Sequence, residues 1–162
     1  AAEMQAAAHH SVPVTAQDIM SRDLATIRPE TSLSEVADIF RRHRFTSLPV
    51  VERDAKFLGV IFQIHLIRQA REDALRLDRG YTAALRRLLD RNRENPTRAG
   101  DIMSVAGPRA MADTPIGALL PMMAEGDTDA VPVLEKDKII GIVTRTDLVA
   151  ALARNVVRTN PN

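Results

Sequence analysis

The chain carries 162 residues, 22 of them Lys or Arg and 21 Asp or Glu, and it has no cysteine. That length suits one ordinary domain or two small ones sharing a core, and such a chain buries roughly 70% of its unfolded surface without a disulfide or metal staple. The missing thiols exclude thiolate metal sites and thiol catalysis, the near-balanced charge argues against a general nucleic-acid binder, and 3% aromatic residues argue against a base-stacking surface.

In chain order, Ala1–Ala8 is Ala-rich without a core-facing pattern, and residues 1–14 are expected to be a flexible tail. His9-His10 alone is a poor metal site and reads as part of that tail. A start at Ala rather than Met suggests a piece of a longer protein. No apolar run approaches the ~20 residues of a spanning helix, and no basic-then-apolar signal peptide opens the chain. After Asp18-Ile19-Met20-Ser21, Leu24–Ile27 reads as a short extended segment ending before Pro29. Ser32 opens a helix, with Glu35 completing a Ser-x-x-Glu capping box. Leu33, Val36, Ala37 and Phe40, spaced i, i+3, i+4, i+7, mark its buried face. Leu48–Glu52 and Phe57–Phe62 read as strands joined by a hairpin turn over Arg53–Lys56. A second helix starts near Ile64.

Residues 66–98 hold nine Arg against five acidic residues. Leu66, Ile67, Ala70, Ala74 and Leu77, then Tyr81, Leu85, Leu88 and Leu89, follow helical spacing interrupted at Gly80. One long or two shorter helices are expected, ending before Pro96. A solvated face with local Arg–acid pairs is the default for such a charge pattern, with phosphate or acidic lipid as the alternative partner.

The rest of the chain repeats the first part. Asp101-Ile102-Met103-Ser104 restates Asp18–Ser21, and Ile116, Leu119, Leu120 and Met123 restate the helix face. Val131-Pro132-Val133-Leu134 restates Leu48-Pro49-Val50-Val51, and Ile139–Val143 restates Phe57–Ile61. In this copy Thr114 is expected to cap the helix, with Pro115 at its first position. Glu135–Lys138 is the hairpin turn, and a last helix is expected over about 146–157. Each copy reads as strand, helix, strand, strand, helix. One copy leaves an apolar face exposed, and a second copy is its natural cover.

This order of motifs, Asp-Ile-Met, amphipathic helix, hydrophobic-Pro-Val, then Gly-hydrophobic-x-Thr-x-x-Asp, resembles the cystathionine-β-synthase-type (CBS) domain. Two in tandem make a Bateman module. The resemblance covers residues 15–155 apart from the insertion. It implies an α+β fold of two β-α-β-β-α repeats in pseudo-two-fold packing, with a helical insertion between them. On that basis residues 15–67 are repeat one, 68–96 the insertion and 97–158 repeat two. The family also implies homodimerisation through the modules and adenine-nucleotide binding that regulates an attached or partner protein, without catalysis. The ligand would be AMP, ADP or ATP, with Mg accompanying ATP. The layout further resembles cytoplasmic tails of HPP-family membrane proteins, which implies a cytoplasmic module on an inner-membrane parent.

Copy two carries the ribose-phosphate motif of the resemblance in Gly141-Ile142-Val143-Thr144-Arg145-Thr146-Asp147. There Asp147 would accept from vicinal ribose hydroxyls and Thr144 would donate to a phosphate oxygen, at a helix start that favours anions. The bland reading is that Thr144 or Thr146 caps the helix and Asp147 complements its N-terminus. Copy one reads Gly59-Val60-Ile61-Phe62-Gln63-Ile64-His65: Phe62 replaces the hydroxyl and His65 the carboxylate, so this site is expected to be degenerate or differently selective. The resemblance places adenine against Gly107, Pro108, Ala130 and Val131. Arg42, His43 and Arg44, in the densest basic run, are candidate phosphate contacts together with His65, although a helix C-terminus attracts cations anyway.

No Gly-rich phosphate loop, nucleophile elbow or His-Glu-x-x-His motif appears, so nothing in the sequence supports an enzyme. The competing readings are a dimerisation module without a ligand, a nucleic-acid binder built on the Arg-rich insertion, and a binder of another adenosyl ligand such as S-adenosylmethionine.

Overall fold

The structure is a computed structural model that describes residues 14–77, 97–125 and 128–159. Its elements are α1 (Ala16–Ile19), α2 (Leu33–Arg42), β1 (Ser47–Val51), β2 (Phe57–Phe62), α3 (Gln63–Leu77), α4 (Ala99–Ile102), β3 (Ala110–Met111), α5 (Ile116–Ala124), β4 (Ala130–Glu135), β5 (Lys138–Thr144) and α6 (Arg145–Thr159). This is the mixed α+β arrangement the repeat predicts. The expectations for residues 1–13 of the tail, for Tyr81, Leu85, Leu88 and Leu89, and for the helix end before Pro96 lie outside the described residues; Val14, expected in the tail, instead packs half-buried against the core of one unit and its carbonyl accepts from the Ile116 N–H at 2.9 Å.

The repeats in sequence are not the compact units in space. One unit gathers the chain up to Arg22 with Pro108–Glu135 and the chain from Ile140; the other gathers Asp23–Gly107 with Lys136–Ile139. The two copies have exchanged their leading segments. Thr15 bridges Pro115 and Ser21 bridges Ile142, whereas Arg98 bridges Ser32 and Ser104 bridges Val60. Each leading segment carries a one-turn helix that the sequence reading left unassigned. Asp18 accepts from the Thr15 N–H at 2.9 Å, and Asp101 accepts from the Arg98 N–H at 2.8 Å. These bonds satisfy main-chain donors at helix starts. They explain why Asp recurs in the Asp-Ile-Met motif.

In the first unit the sheet runs β3-β4-β5, with β3 parallel to β4 through Ala110↔Val133 and Met111↔Leu134. Its core joins Ala16, Ile19 and Met20 of the leading segment to Leu119 and Met123 of α5, Val131, Val133 and Val143 of the sheet, and Leu148 and Ala151 of α6. The expected face of α5 holds at Leu119 and Met123, with Ile116 half-buried, but Leu120 is exposed. The expected cap is also corrected. Pro115 is itself the extended residue before the helix, with φ −72° and ψ 154°. The Thr114 hydroxyl is already used, accepting from the Met111 N–H at 2.8 Å. Thr31 does the same for Arg28 at 3.0 Å in the other unit.

In the second unit β1 and β2 pair antiparallel, and Ile27 adds a parallel bridge to Val50. Leu33, Val36 and Phe40 of α2 pack with Leu48, Val50 and Ile61 and with Ala99 of the leading segment. The Ser32 hydroxyl accepts from the Glu35 N–H at 3.3 Å, which is the Ser32 half of the expected capping box. α2 stops at Arg42, with His43 at its cap, and Ser47 is buried in β1.

Candidate functional site

The last strand of the first unit hands directly into its longest helix, since β5 ends at Thr144 and α6 begins at Arg145. Two residues across this junction bind each other reciprocally. The Asp147 N–H donates to the Thr144 hydroxyl at 3.1 Å, and the Thr144 N–H donates to Asp147 Oδ2 at 3.0 Å. The helix-capping reading of these residues is therefore realised. It fixes the Asp147 carboxylate at a helix start, beside N–H donors that favour negative charge.

A third residue joins them from far away in the sequence. The Ser21 hydroxyl lies 3.2 Å from Asp147 Oδ1 and 3.0 Å from Oδ2. Ser21 is held in place by main-chain bonds with Ile142, 2.8 Å from its own N–H and 3.0 Å to its carbonyl. That approach requires Gly141: a Cβ there would lie 2.7 Å from Met20 Cγ and 3.1 Å from the Ser21 carbonyl. Sequence reasoning missed Ser21. Its one signal is its recurrence as Ser104 in the second copy.

The other residues of the motif differ in exposure. Arg145 is exposed and reaches Asp129 at 3.1 Å and the Thr128 carbonyl at 3.4 Å. Thr146 is exposed, whereas Ala130 and Val131 are buried at the start of β4 and Pro108 is half-buried ahead of β3. Pro108, Ala130, Val131, Thr144, Arg145, Thr146 and Asp147 all belong to the first unit, whereas Gly107 belongs to the second.

The counterpart junction in the second unit has different chemistry. The Phe62 N–H donates to His65 Nδ1 at 2.9 Å, so that nitrogen accepts and the ring proton sits on Nε2. His65 replaces Asp147 as the cap at the start of α3, without a negative charge. The buried Phe62 ring packs 5.5 Å from the His65 ring, centroid to centroid. The basic run is also in this unit. Arg41, at 2.6 Å, and Arg42 both bind the Asp38 carboxylate. Hydrogen bonding from Arg41, reinforced by Arg42, holds Asp38 below the usual carboxylate range, against a smaller opposing effect of burial. His43 packs 5.7 Å from the Phe45 ring, and Arg44 is exposed.

Residues 16–72 and 99–154 each match the CBS domain. A homoserine O-acetyltransferase of Methanohalobium evestigatum is 30% identical over 81% of this chain, which spans only 22% of that protein. An A-adding tRNA nucleotidyltransferase of Geobacter sulfurreducens is 27% identical over 83% of this chain, which spans 13% of it. Among solved structures, CBSX2 in complex with AMP superposes with a TM-score of 0.68 at 21% identity, covering 86% of this chain and 96% of that one. The CBS domain pair of MJ0100, in complex with 5′-methylthioadenosine and S-adenosyl-L-methionine, superposes with a TM-score of 0.67 at 22% identity, covering 88% and 98%. With two matches in tandem and the α+β fold they share with these structures, this chain belongs to the CBS domain family as a tandem pair.

Proposed function

We propose that this chain is a regulatory module that senses an adenosine-bearing ligand through the Asp147 junction of its first unit. The observation that carries the reading is the environment of the Asp147 carboxylate. Its Oδ2 faces the Thr144 N–H and the Ser21 hydroxyl, its Oδ1 faces the Ser21 hydroxyl, and among the described residues it has no cationic partner. Such a carboxylate is suited to accept from the vicinal hydroxyls of a ribose. The start of α6 and the Thr144 hydroxyl favour a phosphate close by, and half-buried Pro108 in the same unit offers apolar surface for a base. The adenosine compounds bound to CBSX2 and to the MJ0100 pair support the same ligand class. AMP, ADP, ATP with Mg, and S-adenosylmethionine all carry the required ribose.

Regulation requires that the ligand bind two arrangements of the module unequally, because equal affinity shifts nothing. The regulated protein, on this reading, is attached to or partnered with the pair; the likeness of the layout to HPP-family tails is what supports a membrane protein. Pairing with a second copy is supported by exposed apolar side chains on both long helices, Val149 and Leu152 on α6 and Ile67 and Leu75 on α3.

The test is calorimetric titration of AMP, ADP, Mg-ATP and S-adenosylmethionine into the wild type and Asp147→Ala. Binding that is lost in the folded variant supports the reading. No heat from any of the four at millimolar concentration overturns it and leaves a dimerisation module.

A further inference from the structure

The contact between Ser21 and Asp147 conflicts with the use proposed for that carboxylate. A carboxylate offers about four acceptor positions, two on each oxygen. Asp147 Oδ2 already receives the Thr144 N–H at 3.0 Å and faces the Ser21 hydroxyl at 3.0 Å, and Oδ1 faces the same hydroxyl at 3.2 Å. A vicinal diol approaches with one hydroxyl for each oxygen. The single Ser21 hydroxyl, placed between the two, covers the edge of the carboxylate that such a pair must reach.

We infer that Ser21 is an internal competitor of the ribose diol, a residue of this chain that sets the affinity of the Asp147 site from 126 residues away. The inference rests on the proposed function and extends it to a specific regulating residue. Three observations carry it. Ser21 is half-buried, so water does not freely replace its hydroxyl. Its main chain is fixed beside β5 by two bonds with Ile142. Gly141 leaves room for that approach. A hydrogen bond to a charged group contributes more than one between neutral partners, so displacing Ser21 subtracts from what the diol gains. The competition also has a direction along the chain. Ser21 is two residues before the chain passes at Asp23 into the other compact unit. A ligand that turns the Ser21 side chain away from Asp147 therefore removes one of the polar ties that hold Ser21 beside β5, just ahead of the crossover.

The competition separates ribose from deoxyribose. A single hydroxyl needs only one oxygen and leaves Ser21 its share of the other. The test is calorimetric titration of AMP and of 2′-deoxy-AMP into wild type, Ser21→Ala, Ser21→Thr and Asp147→Ala. The expected result is AMP binding about tenfold tighter in Ser21→Ala, a difference of about 1.4 kcal/mol. Affinity for 2′-deoxy-AMP should change less than about twofold, and Ser21→Thr, which keeps the hydroxyl, should match the wild type. Ser21→Cys, near-isosteric but a weak donor, gives the same comparison if alanine unsettles the segment. AMP affinity in Ser21→Ala equal to or weaker than wild type, with binding still lost in Asp147→Ala, overturns the competition and leaves the sensing function standing. AMP binding to none of the four proteins overturns the competition, and the sensing function falls with it when ADP, Mg-ATP and S-adenosylmethionine also fail to bind the wild type.

Discussion

The carbonyl oxygen of Ser104 lies 2.7 Å from the point where a side chain on Gly59 would begin. Gly59 is the glycine of the Gly-hydrophobic-x-x pattern in the first copy, and Ser104 ends the leading segment of the second copy. Val60 and Ser104 exchange main-chain bonds of 3.0 and 2.8 Å at this crossing. The same crossing recurs at Gly141 and Ser21. The glycine of the motif is thus explained by close main-chain approach rather than by a turn.

Substituting either glycine should destabilise the fold by overpacking, at a cost of about 1–3 kcal/mol. Gly59→Ala should cost more than Gly141→Ala. At Gly59 the nearest obstacle is a main-chain oxygen; at Gly141 it is the flexible Met20 side chain, with the Ser21 carbonyl farther off at 3.1 Å. Urea denaturation of both variants checks the order, and equal midpoints would contradict the account.

Thr144→Ala should lower stability by about 1 kcal/mol, the usual cost of losing a side-chain cap. Thr144→Ser, which keeps the acceptor for the Asp147 N–H, should recover most of it. The measurement is the thermal midpoint of the two variants against the wild type. A Thr144→Ala midpoint unchanged from wild type would show that the 3.1 Å bond contributes nothing to folding.

Asp18 supplies a pH dependence with a defined sign. Hydrogen bonds from the Thr15 N–H first, and from its hydroxyl second, lower the Asp18 pKa below its ordinary value of 3.8, against weak opposition from desolvation. A lowered folded-state pKa adds stability above the unfolded value, lost as pH falls through the folded one. Asp18→Asn should therefore be less stable than wild type at neutral pH. The difference should shrink as the pH falls below about 4. Denaturation midpoints at several pH values test this, and a gap that does not close in acid would exclude Asp18 as its source.

Pro121 lies inside α5, where it has no N–H to give to the carbonyl one turn back. It is exposed, so no core packing compensates. Pro121→Ala should raise stability by about 1 kcal/mol or more, the helix gain exceeding the added freedom of the unfolded chain. A lower thermal midpoint for the alanine variant would mean that Pro121 itself is required at this place in α5.

The sequence alone determined the duplication, the class of the longer helices and of the paired strands, and the capping pair Thr144 and Asp147. Those features are local: helical spacing at Leu33, Val36 and Phe40, short apolar runs around Pro49 and Pro132, and Thr144 and Asp147 three residues apart. The pattern also carried the difference between the junctions, since Phe62 and His65 stand where Thr144 and Asp147 do. Only the tertiary structure decided which segment completes which core. Thr15–Ser21 and Arg98–Ser104 are equivalent in sequence, and either could in principle lie against either copy. Main-chain pairing of Ser21 with Ile142 and of Ser104 with Val60 fixes the exchange, and main-chain bonds carry no signature of their distant partner. Ser21 reached Asp147 by that route, so the residue that most directly contacts the proposed ribose acceptor was the one no local pattern pointed to.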